Sequence, residues 1–333
     1  MRHTSLPVGT TMLCLTMNPS VDLATETTEV VPTHKLRCSA TSHDAGGGGI
    51  NVARTVVRMG GGCITLCPAG GPTGDWLRRR LREEGIDGHF VSTAEDTRVS
   101  FTVHEGSSGQ EYRFVMPGPL LADAEWQACL QAVEALTPFP GLIVASGSLP
   151  PGVPEDFYAR VARLARQRGG RLVLDTSGPA LDAALQEGVF LFKPNLRELC
   201  AHLGHDLPDR NAQLAALHRL LGAGRCEAVA LSLGHRGALL ATDQGAWFAP
   251  PLNIEARSAV GAGDSFVGGL VWSLAQGRDW PDSLAWGVAC GTGALLSVST
   301  GLCQASDALN LREQVRLEPQ PWTPVDRPHG GHK

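Results

Sequence analysis

Short apolar runs and amphipathic stretches alternate along most of the chain. Met12–Thr16, Leu142–Ala145, Arg171–Asp175, Val189–Lys193 and Ala228–Ser232 are brief, aliphatic or β-branched, the pattern of strands covered on both faces. Between them, Pro154–Gln167, Asn195–His202 and Asn211–Leu221 place apolar side chains at helical spacing. This alternation predicts an α/β fold, with a mostly parallel, doubly wound sheet between two helical layers. Ligands of such sheets sit outside the carboxyl ends of the strands. Asp175, Lys193 and Ser232 each close a predicted strand, so all three are expected to face that crevice.

One region breaks the rhythm. Arg98–His104 and Gln110–Met116 alternate polar and apolar positions around Glu105-Gly-Ser-Ser-Gly109, which predicts an antiparallel hairpin. Val21–Ser42, with its alternating Thr and Val, supplies further strand candidates. Together, about 21–45 and 97–117 are expected to form a small antiparallel β lid or dimer surface. At the other end, 318–333 is rich in Pro, Gly and His and reads as a disordered tail.

Composition narrows the class. The 333 residues are 43% hydrophobic and include 40 glycines, which suits a large, loop-rich enzyme. A net charge of −5 gives no footprint for nucleic acid or an acidic membrane surface. The nine cysteines are scattered, with no C-x-x-C pair and no zinc spacing. Met1–Thr11 lacks an apolar core, and no run of about 18 apolar residues occurs. A cytoplasmic protein with reduced thiols is expected.

Candidate chemistry concentrates in three runs. Gly261-Ala-Gly263-Asp264 leaves bare amides before an apolar helix read as Ser265–Gln276. Such a loop cradles an anion on N–H groups, with one carboxylate ready to accept a proton; an ordinary Asp helix cap fits the same residues. Gly46-Gly-Gly-Gly49-Ile-Asn51 allows close backbone approach to a polar ligand, or serves as a flexible link. Lys193-Pro-Asn195-Leu-Arg-Glu198 puts Asn195 and Glu198 on one face of a first helical turn, where they either cap the helix or hold water and Mg²⁺ on nucleotide phosphates. Lys35, Arg37, Arg98 and Arg113 gather cations in the lid, and Asp22 offers a carboxylate for a hydroxyl or a turn. Neither a Walker loop nor a dinucleotide fingerprint is present.

In order, these runs resemble the ribokinase/PfkB family of carbohydrate kinases. The likeness includes Asn18-Pro-Ser-Val-Asp22, Lys35-Leu-Arg-Cys38, Tyr112-Arg-Phe-Val-Met-Pro-Gly118, Ser146-Gly-Ser-Leu-Pro-Pro-Gly152 and Ser232-Leu-Gly234. It implies a single ribokinase-like kinase domain over 11–310. Gly48, where related kinases carry lysine, is similar to the branch of minor-type kinases that phosphorylate the C1 hydroxyl of fructose 6-phosphate with ATP. Branches acting on tagatose 6-phosphate or fructose 1-phosphate are the alternatives, and a non-catalytic sugar-phosphate or nucleotide sensor is the alternative of another class.

The resemblance also implies roles. Asp264 is the base, and the amides of Gly261, Ala262 and Gly263 form the anion hole. Asp22, Gly47, Gly48, Asn51 and Ser148 contact the sugar, while Lys35 and Arg98 face its phosphate. Lys193, Asn195 and the Ser232, Leu233, Gly234, His235, Arg236, Gly237 loop hold ATP, with Asn195 and Glu198 organising Mg²⁺ through water. Ser258, Val260, Ala294, Ser297, Ser299 and Gly301 match a K⁺ site, weakened by Ser and Gly in 296–303 where the family more often has Asn and Arg. A homodimer formed through the lid completes the expectation.

Overall fold

The structure, a computed structural model, describes residues 6–39, 41–297 and 301–325. The chain opens with β1 (Met12–Leu15), β2 (Ser20–Thr27), β3 (Ser42–Gly46), α1 (Gly48–Arg58), β4 (Ile64–Ala69), α2 (Gly71–Glu83) and β5 (Asp87–Ser92). The hairpin β6 (Arg98–Glu105) and β7 (Glu111–Phe114) follows, then α3 (Asp123–Ala135) and β8 (Leu142–Ser146). Next come α4 (Phe157–Gln167), β9 (Arg171–Asp175), α5 (Pro179–Glu187), β10 (Val189–Phe192), α6 (Leu196–Leu203) and α7 (Arg210–Gly222). The last part holds β11 (Cys226–Ser232), β12 (Ala238–Thr242), β13 (Ala246–Ala249), α8 (Ala262–Ala275), α9 (Trp280–Leu295), α10 (Ala305–Arg312) and β14 (Glu318–Pro319).

Among the described residues, the large sheet runs β14-β13-β12-β11-β10-β9-β8-β1-β4-β5. It is parallel from β11 to β5 and antiparallel only where β12, β13 and β14 are added at one edge. Its central strands are largely apolar because both faces are covered, whereas the edge strands β5 and β14 are polar and mostly exposed. Leu13 and Leu15 of β1 enter one core with α3, α4, α5 and α7, while Met12 and Cys14 enter a second core with α1, α2, α8 and α9. The β/α alternation in the sequence therefore predicts this architecture correctly.

The small sheet, β3-β2-β6-β7, has the expected antiparallel pairs β2–β3 and β6–β7, joined through a parallel β2–β6 pair. Its alternation is inverted relative to an ordinary half-buried sheet. Ser20, Asp22, Arg98, Ser100, Thr102 and Arg113 share one polar face, which lines a cleft. The other face carries Phe101 and Phe114, stacked at 4.6 Å and both exposed.

Two boundaries correct the sequence reading. Helix α8 begins at Ala262, with Gly261 as its N-cap in the left-handed region at φ 73°. Asp264 thus lies inside the first turn and is not the cap. The expected tail is ordered over its first part. Glu318–Pro319 pairs with β13, Trp322 meets the His218 ring at 5.2 Å, and Val325 is buried. Two large apolar side chains find a seat against the main core, which outweighs the polar composition around them. Residues 326–333 lie outside the described residues.

Candidate active site

The glycines before α8 do two things. Gly261 takes a conformation that costs other residues strain, and it turns the chain so that the helix N-terminus points into a cleft. The first intrahelical bond is Ser265 N–H to Gly261 O at 2.8 Å, so the amides preceding it are available to an anion. A carboxylate in the same turn gives this helix end both an anion cradle and a proton acceptor.

Asp264 is fixed by its neighbours. Asn51 of α1 donates Nδ2–H to Asp264 Oδ2 at 2.9 Å. Burial, and next the charge of Asp175, push the Asp264 carboxyl up to about 6; the Asn51 hydrogen bond and Lys193 act in the opposite sense, and Asp22 adds a smaller upward push. A carboxylate tuned to about 6 is still ionised at neutral pH and is a better proton acceptor than an ordinary aspartate.

Beneath the anion cradle lies Lys193, only 5% exposed. Its Nζ pairs with Asp175 Oδ1 at 3.1 Å, and a Cβ added to Gly263 would stand 3.4 Å from that Nζ. Burial alone would lower the lysine's pKa; Asp175, Glu198 and Asp264 outweigh it, so the ammonium is held charged. Asp175, placed at the crevice by its strand-end position but given no role, is thus the counterion of the buried lysine.

The cleft in front of Asp264 spans about 630 Å³ including its open side. Asp22, Gly47, Gly48, Asn51, Arg98, Val260, Gly261 and Asp264 line it, together with Ser20, Ser100, Thr102 and Arg113. Ser20 donates to Asp22 Oδ1 at 2.6 Å. Burial raises the Asp22 carboxyl above the usual range, while Ser20, Arg98 and Arg113 pull it back. Arg98 is anchored by Asn18 O at 3.0 Å and Met116 O at 2.9 Å. Arg113, opposite Thr102 on β7, is a second cation on the same polar face.

Two expected sugar contacts are not brought to this cleft. Lys35 is exposed on the excursion between β2 and β3, and Ser148 accepts a hydrogen bond from Asn18 Nδ2 at 3.2 Å without lining the pocket. The lysine's place in the sequence says nothing about where the 14-residue excursion between β2 and β3 folds.

On the other side of Asp264, the exit of β10 runs beside the end of β11. Asn195 bridges to Ser232, and Ser232 N–H donates to Pro194 O at 3.0 Å. Leu233 and Gly237 close the following turn, N–H to O at 2.9 Å, leaving Gly234, His235 and Arg236 exposed. Asn195 and Glu198 form a reciprocal cap at 2.8 and 2.9 Å. That cap uses Glu198 Oε2 and Asn195 Oδ1, so Glu198 Oε1 can still accept from a metal-bound water. The capping and ligand readings therefore coexist.

Around the expected K⁺ site, the Ser258 hydroxyl accepts from Val260 N–H at 3.2 Å and faces Glu111 Oε2 at 3.3 Å. Ser297 donates its N–H to Ala294 O at 3.1 Å and its hydroxyl to Leu302 O at 3.1 Å. Gly301 is described and half-buried, whereas Ser299 lies outside the described residues.

A half-buried carboxylate at a helix N-terminus, a buried lysine beneath it and a cleft with two arginines in front suit phosphoryl transfer on a ribokinase-like α/β fold. The chain belongs to the pfkB family of carbohydrate kinases, whose model matches residues 15–307. It is 41% identical to ATP-dependent 6-phosphofructokinase isozyme 2 of Mycobacterium tuberculosis over 95% of both chains. Identity to the Escherichia coli protein of the same name is 38%, over 88% of this chain and 95% of that one. The crystal structure of E. coli phosphofructokinase-2 in complex with potassium superposes with a TM-score of 0.87 at 36% identity, covering 92% of this chain and 99% of that one. The same E. coli enzyme in complex with fructose-6-phosphate gives 0.86 at 35% identity over the same shares.

Proposed function

We propose that this chain is an ATP-dependent 6-phosphofructokinase, transferring the γ-phosphoryl group of ATP to the C1 hydroxyl of fructose 6-phosphate. The observation that carries this reading is Asp264, held by Asn51 at 2.9 Å between the cationic sugar cleft and the Lys193–Ser232 edge. The acceptor hydroxyl, placed before Asp264, gives its proton to that carboxylate as its oxygen attacks the γ-phosphorus and the bond to the β,γ-bridging oxygen breaks, releasing ADP. The amides of Gly261, Ala262 and Gly263 and the N-terminus of α8 stabilise the charge on the moving phosphoryl group. Lys193 adds a fixed positive charge below it.

Asp22, Gly47, Gly48 and Asn51 orient the sugar, and Arg98 with Arg113 receives its phosphate. Lys35 and Ser148 belong to this set on the resemblance alone. The Ser232–Gly237 turn takes the nucleotide. Glu198 and Asn195 suit a hard divalent cation held mainly by nucleotide phosphates and water, because one carboxylate oxygen remains for an outer-sphere contact. Mg²⁺ there would neutralise phosphate charge. For K⁺, the backbone carbonyls near Ser258, Val260, Ala294, Ser297, Ser299 and Gly301 are the proposed ligands; E. coli phosphofructokinase-2 was solved with potassium.

The exposed Phe101–Phe114 face suits pairing of two lids in a homodimer, and a tetrameric inhibited form of the E. coli relative is known. No helix among the described residues is long and apolar enough to cross a membrane, and we place the protein in the cytoplasm, where ATP and free thiols coexist. A coupled assay for ADP with fructose 6-phosphate, tagatose 6-phosphate and fructose 1-phosphate tests the reading. Fructose 6-phosphate is expected to give the highest kcat/KM. If it is the poorest of the three by tenfold, the acceptor is wrong; if ADP forms with none while ligands bind, the protein is a sensor.

A further inference from the structure

Arg54 is a fully enclosed cation with no part in the chemistry described above. It lies on α1, 3% exposed, and its side-chain hydrogen bonds reach away from its own helix. Nη1 donates to Ala45 O at 3.1 Å and Nη2 to Asp44 Oδ1 at 2.9 Å, both on β3. Nε donates to Glu84 Oε2 at 2.6 Å and Nη2 to Glu84 Oε1 at 3.1 Å. Glu84 caps the C-terminus of α2 and is itself held by Arg80 at 2.9 Å.

The residues enclosed between Ala45 and Arg54 include the glycine run and Asn51, that is, the sugar-facing turn and the side chain that holds Asp264. Four successive glycines have no intrinsic preference for one path. The Arg54 guanidinium closes the loop behind them, fastening its entry strand to its exit helix and both to α2. Its reach extends one strand further. Asp44 stands opposite Asp22 in the β2–β3 register, and Gly46 leaves no room for a Cβ against the Asp22 carboxylate. A shift of β3 therefore displaces Asp22 directly.

We infer that Arg54 is a positioning residue for the sugar end of the site, locking the glycine turn and the small sheet's β3 onto the main domain. The inference rests on the sugar-phosphate reading above. It is supported by charge as well as geometry. Asp44 bears on Asp22 with a like charge, beside Arg98 and Arg113 with opposite ones, and Arg54 is the counterion that tempers Asp44. The Lys193–Ser232 edge makes no contact with Arg54 and should not respond to its loss.

Steady-state kinetics on wild type, Arg54→Met and Arg54→Lys separate these ends, with fructose 6-phosphate and ATP varied in turn. Arg54→Met is expected to raise KM for fructose 6-phosphate at least tenfold with KM for ATP within twofold. Arg54→Lys should recover part of the loss, since it keeps the charge but not the fork. Equal rises in both KM values, or a fall in kcat with neither KM moved, would overturn the inference. Should Arg54→Met fail to fold, Glu84→Gln serves instead, with an expected rise of about threefold confined to the sugar KM; no rise overturns it. If wild type does not turn over fructose 6-phosphate, the functional reading fails separately. The positioning role is then read from thermal shifts with whichever of fructose 6-phosphate, tagatose 6-phosphate or fructose 1-phosphate stabilises wild type, and unaltered binding in Arg54→Met overturns it.

Discussion

The two sheets build opposite halves of the site, and they hold their polar groups in different ways. At the carboxyl ends of the large sheet, Lys193 is buried on Asp175 and Asn195 is locked with Glu198. The strands that end at these residues, β9 and β10, are covered by helices on both faces. The small sheet has only one face against the protein. Its polar face supplies Asp22, Arg98 and Arg113 to the cleft, while Phe101 and Phe114, on the opposite face, are exposed at the cleft's margin. The proposed base, Asp264, belongs to the half built on the large sheet. The groups proposed to choose the acceptor belong to the half that we infer depends on Arg54 for its position. Changes in the first half should therefore alter kcat, and changes in the second should alter sugar KM.

The largest effect is expected for Asp264→Asn. Turnover should fall by about 10³-fold or more, the scale of a lost general base, with ATP and sugar-phosphate binding retained. Stability should move the other way. A carboxyl whose folded pKa is raised to about 6 favours the fold fully only below its unfolded value and loses that contribution as pH rises through 6. An uncharged Asn therefore gains about 2 kcal/mol above pH 7, discounted because the group borders the open cleft, seen as a Tm increase of a few degrees. A melting curve at pH 7.5 checks the sign, and a lower Tm would contradict the burial account.

Next comes Lys193→Met, expected to lower kcat by about 10²-fold through the lost charge under the phosphoryl group. Stability should also fall, because Asp175 is left buried without its partner. Arg98→Met and Arg113→Met should each raise sugar KM by about tenfold, the scale of one charge-assisted phosphate contact, with kcat and ATP KM little changed. If either arginine variant alters ATP KM instead, the division of labour between the sheets is wrong. The smallest kinetic effect is expected from Phe101→Glu. It should dissociate the lid-paired dimer in sedimentation while leaving kcat within a few-fold.

Half of the large sheet, β1, β8, β9, β10 and β11, could be read from the sequence because fully covered parallel strands are written as unbroken apolar runs; β4, β5 and the antiparallel edge β12–β14 were not read. The hairpin Arg98–Phe114 was equally legible from its period of two, but alternation does not say which face turns outward. The inverted polarity of that sheet appears only once Asp22, Arg98 and Arg113 are seen on one face. Local motifs placed Asp264 and Asn51 in the site, yet not the 2.9 Å bond between residues 213 positions apart. Arg54 had no signal beyond its place after Ile50-Asn51-Val52-Ala53, since Glu84 comes from another helix. Lys35 is the converse case, a motif residue carried on an exposed excursion and absent from the cleft lining of the single chain. The tail was misjudged because Pro and Gly masked two apolar anchors, Trp322 and Val325.

The central claim is that Asp264, tuned by its surroundings, is the base that sets the rate. It is tested most directly by the pH dependence of kcat/KM for fructose 6-phosphate in wild type and Asn51→Leu, measured side by side. The base must be ionised, so activity should be lost as pH falls through about 6 in wild type. Asn51 lowers the Asp264 pKa through its hydrogen bond, so the acid limb should move to higher pH in the variant. The sugar phosphate's own ionisation, also near 6, is common to both enzymes and cannot produce that difference. Acid limbs with the same midpoint in the two proteins would contradict the account.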